Sequence, residues 1–220
     1  MSDTIPNFNK QELKLSNDNW KVELFLERGN SENQEFVSCD KTLELCEPGE
    51  WTSNLIIRTI DKNQIIKNCL ISGLDGGIYL HTSNEKEKSY TVKLSDNCLI
   101  FSLGFTFFAY DIDKQEINWA IRPDMAEIFE FYDLEDDYLV RGELAIHRID
   151  KDGQIKWSYG GRDIWVNIEG KTEVVIDSNK IILTDFNNDE YIIDFNGKTL
   201  EDKPYVRPTE IKQKKWWKLW

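Results

Sequence analysis

The segment EIFEFYDLEDD holds the densest set of groups in this chain that could do charge-based chemistry. Six of its eleven residues are acids: Glu127, Glu130, Asp133, Glu135, Asp136 and Asp137. On an exposed surface such a cluster would attract a basic partner over a long range. The same pattern is typical of a solvated edge strand and turn, which charge protects from aggregation. We take these six residues as candidate partner-binding groups.

A second candidate is the loop Gly160-Gly161-Arg162-Asp163, which is followed by Trp165. A planar cation beside aromatic rings is common in binding hot spots. The alternative is a bulged turn that carries a local Arg-Asp pair. Arg162, Asp163 and Trp165 therefore join the predicted partner-binding residues.

The third candidate is the C-terminal tail. Residues 207–220 contain five basic residues and one acid, and tryptophans alternate with lysines near the end. Such a segment could dock on the acidic body, dock on a partner, or make weak peripheral contact with a membrane interface. The predicted contact residues here are Lys214, Lys215, Trp216, Trp217 and Trp220.

None of the common catalytic patterns occurs in the sequence. The two histidines, His81 and His147, lie in alternating strand patterns, and we find no nucleophile elbow, phosphate loop or dinucleotide glycine motif. The segment 185–190 (DFNNDE) superficially matches a calcium loop, but Glu190 replaces the required glycine, so a hairpin turn is favoured. We predict no catalytic residue, cofactor or metal.

Apolar residues recur with period two through most of the chain, which indicates half-buried strands. Short turns rich in Asp, Asn and Gly separate the strands. The pattern predicts an all-β fold, an antiparallel meander of repeated hairpins, with a two-sheet β-sandwich as the alternative. Strand candidates include 77–81 (GIYLH) and 163–168 (DIWVNI). We predict one domain over residues 1–203 and a tail over 204–220.

Three segments, 95–121, 135–159 and 177–202, share a plan of turn, strand, turn, strand, Ile-Asp, turn and strand. The shared acids are Asp113, Asp150 and Asp194, and Trp119 and Trp157 lie six or seven residues beyond the first two. These units resemble the repeats of quinoprotein-type β-propellers, although the Thr-Gly turn of that family is missing. The resemblance implies a propeller-like arrangement of the sheets.

The net charge of −13 argues against a nucleic-acid binder, which must neutralise phosphates with Lys and Arg. The N-terminus lacks the pattern of a secretory signal, and no apolar run is long enough to cross a bilayer. The four cysteines show no metal-site spacing, which indicates reduced thiols. We therefore expect a soluble cytoplasmic protein.

Charge and the missing catalytic motifs favour a non-enzymatic binding protein with a basic protein partner. Its concrete form is an immunity-type protein that inhibits a basic toxin by covering the toxin's active cleft with carboxylates. One alternative is a module for small molecules or glycans that uses Trp119, Trp157, Trp165 and the Gly160–Asp163 loop. Another is a hydrolase with paired carboxylates, whose pairing in space the sequence leaves open.

Overall fold

The computed structural model describes residues 10–28, 38–47, 52–83 and 88–206, and the described chain folds into strands and turns without a helix. The strands form four sheets, numbered I to IV along the chain. Sheet I has the order β1-β2-β4-β5-β3, in which only β3 and β5 pair in parallel. Its strands are β1 (Lys10–Ser16), β2 (Trp20–Arg28), β3 (Lys41–Glu44), β4 (Ser53–Asp61) and β5 (Ile66–Leu74).

Sheets II, III and IV are four-stranded antiparallel meanders in which each strand pairs with the next along the chain. Sheet II contains β6 (Val92–Ser95), β7 (Cys98–Leu103), β8 (Thr106–Asp111) and β9 (Glu116–Ile121). Sheet III contains β10 (Ile128–Leu134), β11 (Asp137–Gly142), β12 (Ile146–Ile149) and β13 (Ile155–Tyr159). Sheet IV contains β14 (Val174–Asp177), β15 (Lys180–Thr184), β16 (Glu190–Ile193) and β17 (Thr199–Lys203).

Three apolar clusters join the sheets in chain order. Sheets I and II share a cluster that includes Leu24 and Phe101, and Phe107 of sheet II packs with Phe131 of sheet III, their ring centroids 5.3 Å apart. The third cluster joins Leu139 of sheet III to Leu183 of sheet IV. Within the described ranges no cluster joins sheet IV to sheet I, so the stack is open at both ends. The predicted all-β, propeller-like meander is confirmed, with four sheets in place of the two of a sandwich.

One type of turn recurs between the third and fourth strands of sheets III and IV. The side chain of Asp150 accepts hydrogen bonds from the backbone N–H groups of Asp152 and Gln154, at 3.0 and 2.9 Å. Asp194 makes the same two bonds with the turn that follows it, at 2.9 Å each. A glycine with φ of +79° closes each turn, because a side chain is disfavoured at that angle.

These turns receive tryptophans from the preceding sheet. The indole Nε1 of Trp119 donates to the carbonyl of Lys151 over 2.8 Å, and that of Trp157 donates to the carbonyl of Phe195 over 3.0 Å. Each indole also lies against the turn glycine, where an added Cβ would approach ring carbons to within 2.7 to 2.8 Å. Each tryptophan therefore locks its sheet to the next one. We call this contact the sheet lock.

A lysine takes the same place between sheets I and II. Asp61 forms the same turn, since its carboxylate accepts from the N–H groups of Asn63 and Ile65 at 2.8 Å. Lys67 lies six residues beyond Asp61 and donates to the carbonyl of Asp113 in sheet II over 3.1 Å. At each of the three junctions, a side chain six or seven residues beyond the turn aspartate donates a hydrogen bond to a turn carbonyl of the next sheet.

Two predicted strands, 77–81 and 163–168, are irregular segments in the structure. Their backbone groups bond to isolated partners instead of a ladder: the N–H of Leu80 donates to the Gln11 side chain, and that of Trp165 donates to the Glu143 carbonyl. Apolar alternation in these segments reflects burial between sheets. The proposed division into a domain over 1–203 and a tail over 204–220 stays a prediction.

Replacing Gly197 by Ala will lower the free energy of unfolding more than replacing Gly170 by Ala. Both glycines have φ near +79°, so both variants lose about 1 kcal/mol from backbone strain. At Gly197 the new methyl also collides with Trp157, which adds about 1–3 kcal/mol, whereas nothing lies within 4 Å at Gly170. Urea denaturation measures both values, and equal losses would contradict the sheet lock.

Candidate functional site

Eight hairpin turns lie together at one end of the four sheets, because alternate turns of an antiparallel meander share an end. Hydrogen bonds tie neighbouring turns together: the Asn17 side chain donates to the Asp96 carbonyl over 2.8 Å, and Asn97 donates to the Asp113 carboxylate over 2.7 Å. We call this end the acidic turn face. Its turns are 16–20, 61–65, 95–98, 111–116, 134–137, 150–154, 177–180 and 194–198.

The acidic turn face carries thirteen acids and five lysines. Asp18, Asp96, Asp136 and Asp152 are exposed, and none of them forms an ion pair with another described residue. Their backbones are held in hydrogen-bonded hairpin turns. The face therefore presents a fixed array of carboxylates with an excess of negative charge.

The Asp137 carboxylate is the buried centre of this face. It accepts from Arg148 Nε at 2.5 Å and from Lys156 Nζ at 2.8 Å, and its side chain is only 4% exposed. Burial would raise its pKa, but the hydrogen bonds and charges of Lys156 and Arg148 lower the pKa below its usual value. Arg148 also pairs with Glu135 at 2.8 Å and donates to the Phe195 carbonyl of sheet IV, so this network couples two sheets.

The predicted acid cluster is divided by the structure. Glu135, Asp136 and Asp137 lie on the acidic turn face, whereas the other three bond to internal partners. Glu127 accepts from the Gly77 N–H at 2.9 Å, and Glu130 pairs with Arg141 at 2.9 Å. Asp133 pairs with Lys93 at 2.5 Å and accepts from the Tyr90 hydroxyl. A partner role for these six residues stays a prediction.

The Gly160–Asp163 loop binds sheet IV. Arg162 pairs with Asp189 at 3.0 Å and also with Asp202, while Asp163 accepts from the Asn187 side chain at 2.6 Å. Trp165 is fully buried in the cluster between sheets III and IV, so in this conformation its indole packs in the core. Since Trp119 and Trp157 form the sheet lock, the three tryptophans do not make a shared exposed platform.

The predicted contact residues of the tail are outside the described residues. They are Lys214, Lys215, Trp216, Trp217 and Trp220.

A pocket of about 840 Å³ lies beside the first strands of sheets III and IV. The rings of Tyr79, Tyr90 and Tyr132 line it together with Lys88 and Lys171. Sequence reasoning missed this pocket because its walls come from the irregular segments 79–83, 88–90 and 167–173 as well as from β10 and β14. Tyr79 is 50% exposed, and its ring stacks on the ring of His81 with centroids 6.0 Å apart.

Glu130 and Glu173 line the same pocket, and Arg141 lies between them at 2.9 and 3.9 Å. Burial would raise the pKa of Glu130, but Arg141 and hydrogen bonds from Tyr132 and Ser89 lower it overall. A carboxyl group held ionised in this way is poorly suited to act as a general acid near neutral pH. Glu130 is thus held in an ion pair with Arg141.

Sequence reasoning also missed Asp18, Asp96 and Asp152 as members of one surface. Each occupies a hairpin turn between alternating strands, and that signal was present in the sequence. What was missing was the order of the sheets, which brings turns from distant parts of the chain to one end. Among the described residues, no helix is long and apolar enough to cross a membrane.

No protein family and no curated protein matches the chain. Solved structures match over much of it. BamB from Moraxella catarrhalis is 11% identical over 88% of this chain and 52% of its own, with a TM-score of 0.44. The β-propeller domain of Cps50 (Swd1) from Myceliophteria thermophila is 12% identical over 70% of this chain and 57% of its own, with a TM-score of 0.41. The computationally designed Ika8 protein matches at 14% identity over 67% of this chain and 45% of its own, with a TM-score of 0.42. The chain thus spans about half the length of these three solved structures, and at such identities the likeness concerns the fold alone.

Replacing Asp137 by Asn will lower the free energy of unfolding at pH 7 by about 3 kcal/mol, because two cations then lose their buried partner. The pKa of Asp137 in the folded protein is lowered from the ordinary value of 3.8. The ionised carboxylate therefore stabilises the fold fully above pH 3.8, and this stabilisation is lost as the pH falls through the folded-state pKa. The deficit of the variant will therefore shrink below about pH 4. Replacing the exposed neighbour Asp136 by Asn is the control, and a deficit unchanged at pH 3 in denaturation experiments would contradict this account.

Proposed function

We propose that this chain is a non-enzymatic binding protein that holds a basic protein partner against its acidic turn face. The observation that carries the proposal is the thirteen acids against five lysines in eight adjacent turns. Asp96, Asp136 and Asp152 are exposed on three different turns of this face, so the exposed charge extends over sheets II and III. A cationic surface is the chemistry that complements such an array.

The rigidity of the turns supports this proposal. Backbone N–H groups and the sheet lock fix the turns at Asp150 and Asp194, so little conformational entropy is lost when a partner binds. Excess negative charge also increases the encounter rate with a cationic partner at low ionic strength. Affinity and specificity would then come from short-range contacts around the charged centre.

The concrete form of the proposal is an immunity-type inhibitor. A toxin that acts on nucleic acid needs a cationic active cleft to hold phosphates, and an array of carboxylates can occupy the same cleft. Such an inhibitor requires no catalytic group of its own.

Neutralising three exposed acids of the acidic turn face will weaken capture of basic proteins. The test variant replaces Asp96, Asp136 and Asp152 by Asn, and Asn tolerates the φ of +49° at position 96. We expect association with the captured partner to slow about tenfold or more at low salt, because electrostatic steering is lost. Affinity capture followed by kinetic binding measurements gives this value.

The matched control replaces three exposed acids outside this face by Gln, and it removes the same charge: Glu44, Glu47 and Glu169. The control should bind like the natural chain and should inhibit the captured protein with one-to-one stoichiometry. If both variants slowed association with the partner equally, the effect would come from net charge alone, and the acidic turn face would not be the binding site. Capture of no basic protein, together with no loss of protection from a neighbouring toxin on gene deletion, would overturn it.

The pocket favours a second candidate function, the binding of a small sugar acid. Exposed aromatic faces stack on sugar rings, and Tyr79 is half exposed in the pocket. Lys88 and Lys171 line the same space, and neither forms an ion pair with another described residue. A carboxylate on the sugar would complement these two ammonium groups.

Glucuronate should raise the melting temperature of the chain, whereas glucose at the same concentration should raise it less. Replacing Lys171 by Met will abolish the difference between the two sugars, because one of the two cations is removed. The control replaces Lys62 by Met, an exposed lysine on the acidic turn face, and should respond like the natural chain. Identical melting curves with and without glucuronate would exclude this candidate.

A further inference from the structure

A serine, a histidine and an aspartate lie in a row at the edge of sheet III. His147 of β12 and Ser158 of β13 are opposite each other in the strand register, and the imidazole Nδ1 lies 2.8 Å from the serine Oγ. On the other side of the ring, Nε2 lies 3.8 Å from the carboxylate of Asp124, in the segment that joins sheet II to sheet III. None of the three belongs to the acidic turn face or lines the pocket.

The Asp124 carboxylate is fixed in its position beside the ring. It accepts hydrogen bonds from the backbone N–H groups of Ala126, Leu144 and Ala145 at 3.2, 3.0 and 2.9 Å. Its side chain is only 3% exposed. A Cβ added to Gly142 would lie 2.3 Å from its Oδ2, so the glycine leaves the room that the carboxylate occupies.

This carboxylate determines which ring nitrogen of His147 carries the proton. Nε2 is buried and has no hydrogen-bond partner among the described residues. An unprotonated Nε2 would direct its lone pair at the negative oxygen of Asp124, so the favoured neutral ring carries its proton on Nε2. Nδ1 then accepts the hydrogen bond from the Ser158 hydroxyl.

The ring is also neutral near pH 7 and can accept a second proton. Burial lowers the pKa of His147 below its ordinary value of 6.5, and the charge of Asp124 opposes this shift only in part. A neutral imidazole that accepts a hydrogen bond from a serine hydroxyl is the arrangement of a general base on its nucleophile.

Ser158 brings this row to the surface. It is exposed, and its strand β13 is the outermost strand of sheet III. The Gly142 N–H donates to the Ala145 carbonyl, and the alternation of an antiparallel ladder then makes His147 and Ser158 a non-hydrogen-bonded pair. The backbone N–H of Ser158 therefore points to the sheet edge, where no described strand pairs with it. There it can donate to an oxyanion that forms beside Oγ.

We propose that Ser158 is a nucleophile that accepts an acyl group from small carboxylic esters, with His147 as its general base and Asp124 as the positioning residue of the imidazole. Oγ attacks the ester carbonyl carbon while the hydroxyl proton passes to Nδ1. The bond to the alcohol oxygen then breaks, and His147 returns the proton to the leaving alcohol, so the products are an acyl-serine and a free alcohol. Asp124 stabilises the imidazolium that forms between these steps.

The inference goes beyond the proposed function and does not depend on it, because one acyl group per chain requires no turnover.

Acetylation by p-nitrophenyl acetate tests the proposal. The natural chain should release one equivalent of p-nitrophenolate, and peptide mass mapping should locate the acetyl group on Ser158. Ser158→Ala should abolish this release, and the substitution is at an exposed site. The matched control is Ser178→Ala, at an exposed serine whose hydroxyl bonds to the carboxylate of Asp177 over 3.1 Å instead of to an imidazole. The control should react like the natural chain.

Two further variants separate the roles of the base and the carboxylate. His147→Gln should slow acetylation of Ser158 about 100-fold or more, because the general base is removed. Asp124→Asn should slow it about tenfold or more. Nitrogen NMR should also show the proton of the neutral ring moving from Nε2 to Nδ1 in Asp124→Asn, because the new amide can donate to Nε2. A purely structural role for Asp124 would not produce this change.

Near-ultraviolet circular dichroism checks that each variant is folded. Unfolding the natural chain in urea should also abolish the excess reactivity of Ser158, so the test does not depend on the folding of the two buried variants. Equal acetylation of the natural chain and Ser158→Ala would overturn the proposal. Acetylation of Ser158 at the same rate in urea, or after His147→Gln, would also overturn it, because that result indicates an ordinary solvated serine.

Discussion

The sheet lock, a side-chain donor of one sheet on a turn carbonyl of the next, is the interaction on which the rest of the structure depends. A single four-stranded sheet of this size leaves apolar side chains on both faces and is stable only when neighbours cover them. The indole of Trp157 fixes where sheet IV lies against sheet III, because its hydrogen bond and its contact with Gly197 both require one relative position. The apolar clusters can then fill the space between the sheets.

The same lock gives the acidic turn face its geometry. The Asp150 and Asp194 carboxylates hold their turns from within, and Trp119 and Trp157 hold them from the neighbouring sheet. Charged turns that would otherwise repel one another are thereby kept close together. Such an array can bind a cationic partner well, because folding has already overcome the electrostatic repulsion between the carboxylates.

The sequence allowed the turns to be predicted, because their residues are consecutive, but it did not allow contacts between distant segments to be predicted. Asp150 and Asp194 were recognised with their glycine turns, because turn chemistry depends on five consecutive residues. The turn at Asp61 was predicted as a polar turn but not as their equivalent, since Gln64, at a φ of +63°, stands where the other two have glycine. Position in the sequence also gave no sign that Trp165 is buried while Tyr79 is half exposed.

The acid cluster shows the same limit. Six acids in eleven residues are adjacent in the chain, but β10 carries Glu130 and Asp133 to the pocket, and the following turn carries Asp136 to the acidic turn face. Their partners, Arg141 and Lys93, lie on other strands, eleven and forty residues away. A count of charges along the sequence therefore predicted an acidic surface and could not identify which carboxylates form it.

The dependence of partner affinity on ionic strength tests the central claim most directly. If carboxylates of the acidic turn face hold a basic protein, the affinity between the purified partner and the chain will fall steeply as salt rises from low to physiological concentration. The slope will be smaller when Asp96, Asp136 and Asp152 are replaced by Asn. An affinity that does not change with salt, or a slope that these three substitutions leave unaltered, would contradict the account.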